Sequence, residues 1–100
     1  MENQFKFKVK VWLYPSVNSA WHFVTVPQDV AKEIDFYFAH VKKGWGSLPV
    51  VVQLGSTSWK TSIFPDKKSQ SYVLPLKALV RKSEKVGVGD MIVLSITITS

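Results

Sequence analysis

The chain has 100 residues, of which 46% are hydrophobic and 20% are charged, and it contains no cysteine. Such a chain is too apolar to be disordered, and its length indicates a single domain over residues 1–100. Without cysteine it forms no disulfides and no thiolate metal sites. Thirteen lysine and arginine residues against seven acidic residues give a formal net charge of +6 at pH 7, which favours an anionic partner or high solubility.

Alternation of apolar and polar residues dominates the chain and predicts about six short strands. The first ends at Tyr14-Pro15-Ser16, and a polar loop through Asn18 and Ser19 follows. Its inward residues are Phe5, Phe7, Val9, Val11 and Leu13. Its outward residues are Lys6, Lys8 and Lys10. The other predicted strands cover 21–26, 48–54, 57–64, 72–74 and 91–99, with a hairpin turn at Gly55-Ser56.

Two segments have helical spacing instead. One helix begins after Pro27 and ends at Gly44. Its apolar residues at helical spacing are Val30, Ile34, Tyr37, Phe38 and Val41. A shorter helix over about residues 75–85 is expected to bury Leu76, Leu79 and Val80, and a turn at 87–90 follows it.

Six short strands in so small a chain favour closure, because a closed barrel has no exposed strand edge. The sequence therefore predicts a mainly β protein, a small closed barrel of roughly six strands with two short helices. A half-open sheet packed under the first helix is the alternative. No apolar stretch approaches the roughly 20 residues that span a bilayer, and no signal-peptide core is evident, so we expect a cytoplasmic protein without membrane association.

The sequence contains little that points to catalysis. His22 lies in the middle of a strand and His40 at the end of a helix, and no Gly-x-Ser-x-Gly elbow is present. The carboxylates are scattered, which argues against a metal centre. We therefore expect no enzyme activity, cofactor or metal. A base formed by His22 acting on Ser62 is the one catalytic alternative.

Basic and aromatic residues are the better candidates for function. Trp45 stands between two glycines, where an indole is expected to be exposed and able to stack on a planar ring. Trp12, Trp21 and Trp59 lie on strands and are expected in the barrel core or wall. The proposed ligand-binding residues are Lys43, Trp45, Ser47, Trp59, Lys60, Ser62, Arg81 and Lys82. If the barrel brings these loops together, the ligand is expected to be small or anionic.

Nucleic acid is the alternative partner. Arginine reads base edges and phosphates best, yet Arg81 is the only arginine in the chain. Sequence-specific recognition of DNA is therefore disfavoured, and a weak, salt-sensitive association remains open.

Five segments together carry a resemblance to a known family. They are WHFVTVP at 21–27, KGWGS at 43–47, WKTSIFPD at 59–66, YVLPLKALVRK at 72–82 and the Gly89-Asp90 turn. Their order and spacing resemble a small prokaryotic domain of unknown function, number nineteen hundred and five, over residues 5–99. The resemblance implies a small closed β-barrel with short helices, in some members fused to a YdeI/OmpD-associated bacteriocin-resistance domain. It implies no activity.

The Gly89-Asp90 turn after a helix is also similar to the AbrB and double-psi barrel group, which includes DNA-binding transition regulators. This shorter likeness implies the alternative function, a weak nucleic-acid-binding regulator. The AbrB-type regulators build one barrel from two chains, whereas this chain is expected to have strands enough for its own.

Overall fold

The computed structural model describes residues 3–15 and 20–99, so the polar loop predicted through Asn18 and Ser19 lies outside the described residues. The described strands are β1 (Gln4–Lys10), β2 (Trp12–Pro15), β3 (Ala20–Thr25), β4 (Leu48–Leu54), β5 (Thr57–Asp66), β6 (Ser71–Pro75) and β7 (Met91–Ile98). The α-helices are α1 (Gln28–Phe38) and α2 (Ala78–Glu84). Short 3₁₀ helices at Ala39–Val41 and Gly44–Gly46 connect α1 to β4. The prediction of a mainly β protein with two helices is confirmed.

The described strands form one antiparallel sheet in the order β1-β7-β4-β5-β6-β3-β2. The sheet curls into an open half-barrel whose edges are β1 and β2. The prediction of a closed barrel of six strands, which the family resemblance shared, is therefore wrong. The reason is that the first predicted strand divides in two, and its halves pair with different neighbours, β7 and β3. The open sheet under the first helix, the alternative from the sequence, is the arrangement that forms.

The division falls at Val11, between β1 and β2. The Val11 amide donates to the carbonyl of Asp90 (2.9 Å), and the Val11 carbonyl accepts from the Gly89 amide (2.8 Å). These bonds extend the β1–β7 ladder by one residue, after which the chain pairs with β3. Leu13 was expected to face the core but is 38% exposed, and it lies on β2, an edge strand with a paired neighbour, β3, on one side only.

One face of the sheet carries the core, and alternate residues of each strand point into it. Phe7 of β1, Val52 of β4 and Ile96 of β7 are typical of these buried side chains. Ala31 and Ile34 of α1 and Val80 of α2 belong to the same core, so both helices pack on this side. We call the opposite side the outer face. Neither described helix covers it.

The second helix differs in detail from its prediction. Leu76 and Val80 are buried as expected, whereas Leu79 is 70% exposed. The helix begins only at Ala78, and Leu79, one position before the buried Val80, faces solvent. Glu84 near its end accepts hydrogen bonds from the hydroxyls of Ser56 and Thr57, which ties α2 to the β4–β5 hairpin. The hairpin turn predicted at Gly55-Ser56 is confirmed.

A buried hydroxyl ties α1 to the sheet. Tyr72 of β6 is almost fully buried, and its hydroxyl donates to the carboxylate of Asp35. The Nζ of Lys42 lies 3.1 Å from Oδ1 of Asp35 and 5.3 Å from the centre of the Tyr72 ring. Burial, and then the hydrogen bond to Asp35, raise the pKa of Tyr72 above its ordinary value of 10.0. The Tyr72 hydroxyl, and less strongly Asp35, raise the pKa of Lys42 above 10.5 against the opposing effect of burial.

Both raised pKa values predict that this cluster loses its contribution to stability in alkali. A group whose pKa is raised on folding binds its proton more tightly in the folded state, so the stability falls as pH rises through the folded-state value. Tyr72→Phe removes the hydroxyl and keeps the ring. We expect it to lower the free energy of unfolding by about 2 kcal/mol at neutral pH, measured by urea unfolding.

The same variant is expected to lose less stability than the unaltered chain as the pH rises above about 10, where both raised pKa values lie, because one of the two titrating groups is gone. Tyr37→Phe is the matched control, since Tyr37 is 40% exposed and its replacement is expected to change stability by less than about 0.5 kcal/mol. Equal alkaline losses in the unaltered and Tyr72→Phe proteins would contradict the assignment.

Candidate functional site

Aromatic side chains cluster on the outer face of β2 and β3. Trp12 lies opposite Phe23, and Tyr14 lies opposite Trp21. Directly opposed residues of antiparallel strands share a face, so these four rings lie together; we call them the aromatic cluster. The ring centres of Trp12 and Phe23 are 5.1 Å apart, and those of Trp21 and Phe23 are 6.3 Å apart with their planes 15° from parallel. The rings therefore form a continuous surface.

Local sequence explains why the cluster points outward. Val24 and Val26 are buried, so alternation along β3 turns Trp21 and Phe23 to the other side. The indole N–H of Trp12 donates to the hydroxyl of Thr25 (2.9 Å), which fixes the orientation of that ring. The same alternation was available in the sequence, but the expectation of a closed barrel placed these tryptophans in its core or wall.

The cluster is accessible to solvent. Tyr14 is 57% exposed and Trp21 is 54% exposed, while Trp12 and Phe23 are half-buried. Contiguous exposed apolar surfaces are typical of interaction or ligand sites, whereas single exposed apolar residues are common on any protein surface. The aromatic cluster is therefore the main candidate site that the sequence-based set of residues did not include.

A first cleft of about 480 Å³ lies over the aromatic cluster, with Val73, Asp66 and Lys68 completing its walls. The Asp66 carboxylate accepts hydrogen bonds from the amide (3.2 Å) and the hydroxyl (2.7 Å) of Ser69. Asp66 thus holds the turn between β5 and β6. Lys68 is exposed and, among the described residues, has no ion pair, so the first cleft carries its positive charge together with the negative charge of Asp66.

A second cleft of about 220 Å³ lies on the other side of Trp21. Its other lining residues are Trp59, Lys60, Thr61, Pro75, Leu76 and Lys77. Lys60 and Lys77 are exposed, and Trp59 is half-buried against the core. Trp21 is therefore a wall shared by two clefts, and lysines stand on both sides of it.

The structure brings together two of the eight residues predicted to bind ligand. Trp59 and Lys60 line the second cleft. Ser62 follows on the outward side of β5, opposite Pro49, and Lys82 is exposed on α2. Arg81 donates from Nε to the carbonyl of Leu76 (3.0 Å). The residues of the set that line neither cleft are Lys43, Trp45, Ser47, Ser62, Arg81 and Lys82.

Lys43, Trp45 and Ser47 form a separate turn before β4. The Lys43 amide donates to the carbonyl of Ser47 (2.8 Å), and the Ser47 hydroxyl donates to the carbonyl of Gly44 (3.2 Å). Trp45 is 96% exposed, as expected, and its φ of 66° is in the left-handed region that suits glycine. The turn therefore presents a bare indole at a cost in backbone strain.

The catalytic alternative lacks the required geometry. Ser62 alternates onto the same face of β5 as Phe64, which lies opposite Val73 of β6 and so shares the outer face. His22 lies one residue before the outward Phe23, on the core side of β3. The two side chains point to opposite faces of the sheet, so they do not form a nucleophile–base pair.

His22 contacts Arg81 instead. Its Nε2 lies 3.4 Å from Nη1 of Arg81. A guanidinium only donates, so Nε2 is the acceptor in this contact. The other ring nitrogen, Nδ1, is buried and has no hydrogen-bond partner among the described residues. His22 therefore acts as a packed acceptor for Arg81.

The described residues contain neither a cluster of metal-ligating side chains nor a membrane-spanning helix. Over residues 3–15 and 20–99, no three His, Cys, Asp or Glu side chains approach closely enough to hold a metal ion. No helix in the same part of the chain has the length and apolar character needed to cross a membrane.

The fold and its outer face define a small, mainly β domain with an exposed aromatic surface between lysines. Residues 7–96 match the model of the family described as Domain of unknown function (DUF1905), and the chain belongs to that family. The resemblance seen in the sequence is thereby confirmed. Comparison with the curated proteins gives no match for this chain.

The strained turn at Trp45 yields a prediction about stability. A side chain other than hydrogen at this left-handed φ costs about 1–2 kcal/mol of backbone strain, and Trp45→Gly removes that strain. The greater conformational entropy that glycine has in the unfolded chain offsets part of the gain. We expect the melting temperature to rise by a few degrees. Trp45→Ala keeps the strain and loses no packing, so it should leave the melting temperature nearly unchanged.

Lys85→Gly is the matched control, because Lys85 ends α2 with a left-handed φ of 55° and should show a similar gain. A lower melting temperature for both Trp45 variants would show that the indole packs against the domain and is not presented to solvent.

Proposed function

We propose that this domain is a non-enzymatic binding module for a small anionic ligand with a planar ring, held at the two clefts that share Trp21. The observation that carries the proposal is the exposed indole of Trp21, which walls both clefts while lysines stand on either side. The aromatic rings offer stacking surfaces, and the lysines favour negative charge.

The chemistry of the lining favours an aromatic anion over a sugar. Four of the seven residues that line the first cleft are aromatic, and across the two clefts three lysines stand against one carboxylate, Asp66, so flat rings and negative charge are favoured over a neutral hydroxyl-rich ligand. Lys60 and Lys77 border the second cleft and Lys68 the first. An anionic group attached to a ring would therefore find a cation on either side of Trp21.

This proposal keeps Trp59 and Lys60 from the sequence-based set and adds the aromatic cluster, Lys68 and Lys77. The turn of Lys43, Trp45 and Ser47, together with Ser62, Arg81 and Lys82, takes no part in it. The absence of cysteine suits a reducing compartment, and we propose a cytoplasmic location.

A nucleic-acid-binding regulator is the second candidate. The observation that favours it is separate from the clefts: Lys6, Lys8 and Lys10 are all exposed along the outer face of β1. Three cations in line offer a diffuse, salt-sensitive attraction to phosphates and need no arginine.

Anilinonaphthalene sulfonate, an aromatic anion, tests the first proposal with one probe. We expect one dye to bind per folded chain with a rise in dye fluorescence. Trp21→Ala should weaken this binding by about tenfold, since stacking on one ring contributes roughly 1–3 kcal/mol. Lys60→Gln with Lys77→Gln should weaken it by a smaller factor that shrinks at high salt.

Phe36→Ala is the matched control, because Phe36 is an 80% exposed aromatic residue on α1 that lines neither cleft. Circular dichroism establishes that each variant is folded. Equal losses of dye binding in Trp21→Ala and Phe36→Ala, or no loss in either, would contradict the proposed site.

A further inference from the structure

Outward side chains of β1 and β2 form one continuous line. Lys6, Lys8 and Lys10 alternate with buried residues on β1. Val11 is buried and hydrogen-bonded as a ladder residue, so the alternation continues and the next outward side chains are Trp12 and Tyr14. We call Lys6, Lys8, Lys10, Trp12 and Tyr14 the outer ridge.

The outer ridge has a regular spacing. A strand rises about 3.3 Å per residue, so neighbouring members of the ridge are about 7 Å apart and the whole line is about 26 Å long. Three cations occupy one part of the line and two aromatic rings the other. The rings are widened sideways by Trp21 and Phe23, their cross-strand neighbours.

The lysines of the ridge are not neutralised by their neighbours. Lys6, Lys8 and Lys10 lie opposite Ser95, Val93 and Met91 of β7, none of which is acidic. Among the described residues, the observed ion pair joins Lys42 to Asp35, far along the chain from β1. The charge of the row is therefore available to an external anion.

We propose that the outer ridge binds single-stranded nucleic acid, with phosphates along Lys6, Lys8 and Lys10 and bases stacked on the aromatic cluster. This inference rests on the second candidate function and names the form of nucleic acid. A single strand is flexible enough to match its phosphates to the lysine spacing, and its unpaired bases expose the faces that aromatic rings stack on. A duplex hides those faces.

Lysines on an edge strand also protect a sheet from pairing with another sheet. That role explains Lys6, Lys8 and Lys10, but it does not explain Trp12 and Tyr14, exposed rings on the same line. If the lysines only prevented pairing between sheets, replacing all three would cause aggregation, and the unaltered protein would bind no oligonucleotide.

Fluorescence anisotropy with a labelled oligothymidylate of about ten nucleotides, titrated at several salt concentrations, tests the inference. Each phosphate contact to a single strand contributes about 0.7 to the slope of log affinity against log salt. The triple variant Lys6→Gln, Lys8→Gln, Lys10→Gln should therefore lower the magnitude of that slope by about 2. Tyr14→Ser should weaken binding about fivefold or more and leave the slope unchanged.

The matched control is the triple variant Lys32→Gln, Lys67→Gln, Lys85→Gln, which removes the same charge from exposed lysines outside the ridge. It should retain the slope. If it lowers the slope as much as the ridge variant does, net charge alone explains the binding and the inference is overturned. Size-exclusion chromatography checks that each variant stays monodisperse, and Tyr14→Ser tests the ridge without altering its charge.

Three further binding measurements distinguish the ways in which the inference could be wrong. An oligouridylate of equal length should bind similarly, since the ridge reads phosphates and base faces and not the sugar. A duplex that binds as tightly as the single strand would overturn the inference while leaving the second candidate function in place. Absence of binding to any nucleic acid would overturn both, and dye binding at the clefts would still stand as a separate result.

Discussion

The backbone of Val11 is the point on which the architecture depends. Its amide and carbonyl are both bonded to the turn at residues 87–90, so the ladder ends there because the partner segment turns before it can pair further. Gly89 supplies one of these bonds from a φ of 90°, a conformation that glycine adopts without steric cost. Beyond Val11 the chain pairs with β3, and the two edges of the sheet come from consecutive residues.

This division shapes the surface as well as the fold. Because Val11 itself stays extended and buried, the strand changes partner without changing the side that each residue faces. The lysines of β1 and the aromatic rings of β2 lie on opposite edge strands of the sheet, yet they share its outer face. Both helices pack on the core side, through Ile34 and Val80 for example, and leave that surface uncovered.

Local periodicity made most elements predictable, whereas pairing between distant strands was not. The strands, the helix after Pro27 and the hairpin at Gly55 each have a signal within a few residues. The opening of the sheet has no such local signal, because β1 and β2 resemble one continuous strand in the sequence and differ only in the strands they pair with. The site behaves likewise: Trp59 and Lys60 are adjacent in sequence, but Trp21 meets them only through the pairing of β3 with β6.

The net positive charge of the chain and the exposed aromatic rings are best interpreted together. Four aromatic side chains on an uncovered sheet face would favour self-association in a chain near neutrality, and a net charge of +6 opposes it. Solubility by itself would be served by lysines anywhere on the surface. Here Lys10 precedes the rings along the strand, and Lys60, Lys68 and Lys77 border the clefts beside them. Under the proposed function, positive charge beside stacking surfaces favours an anion that carries a ring over a neutral one.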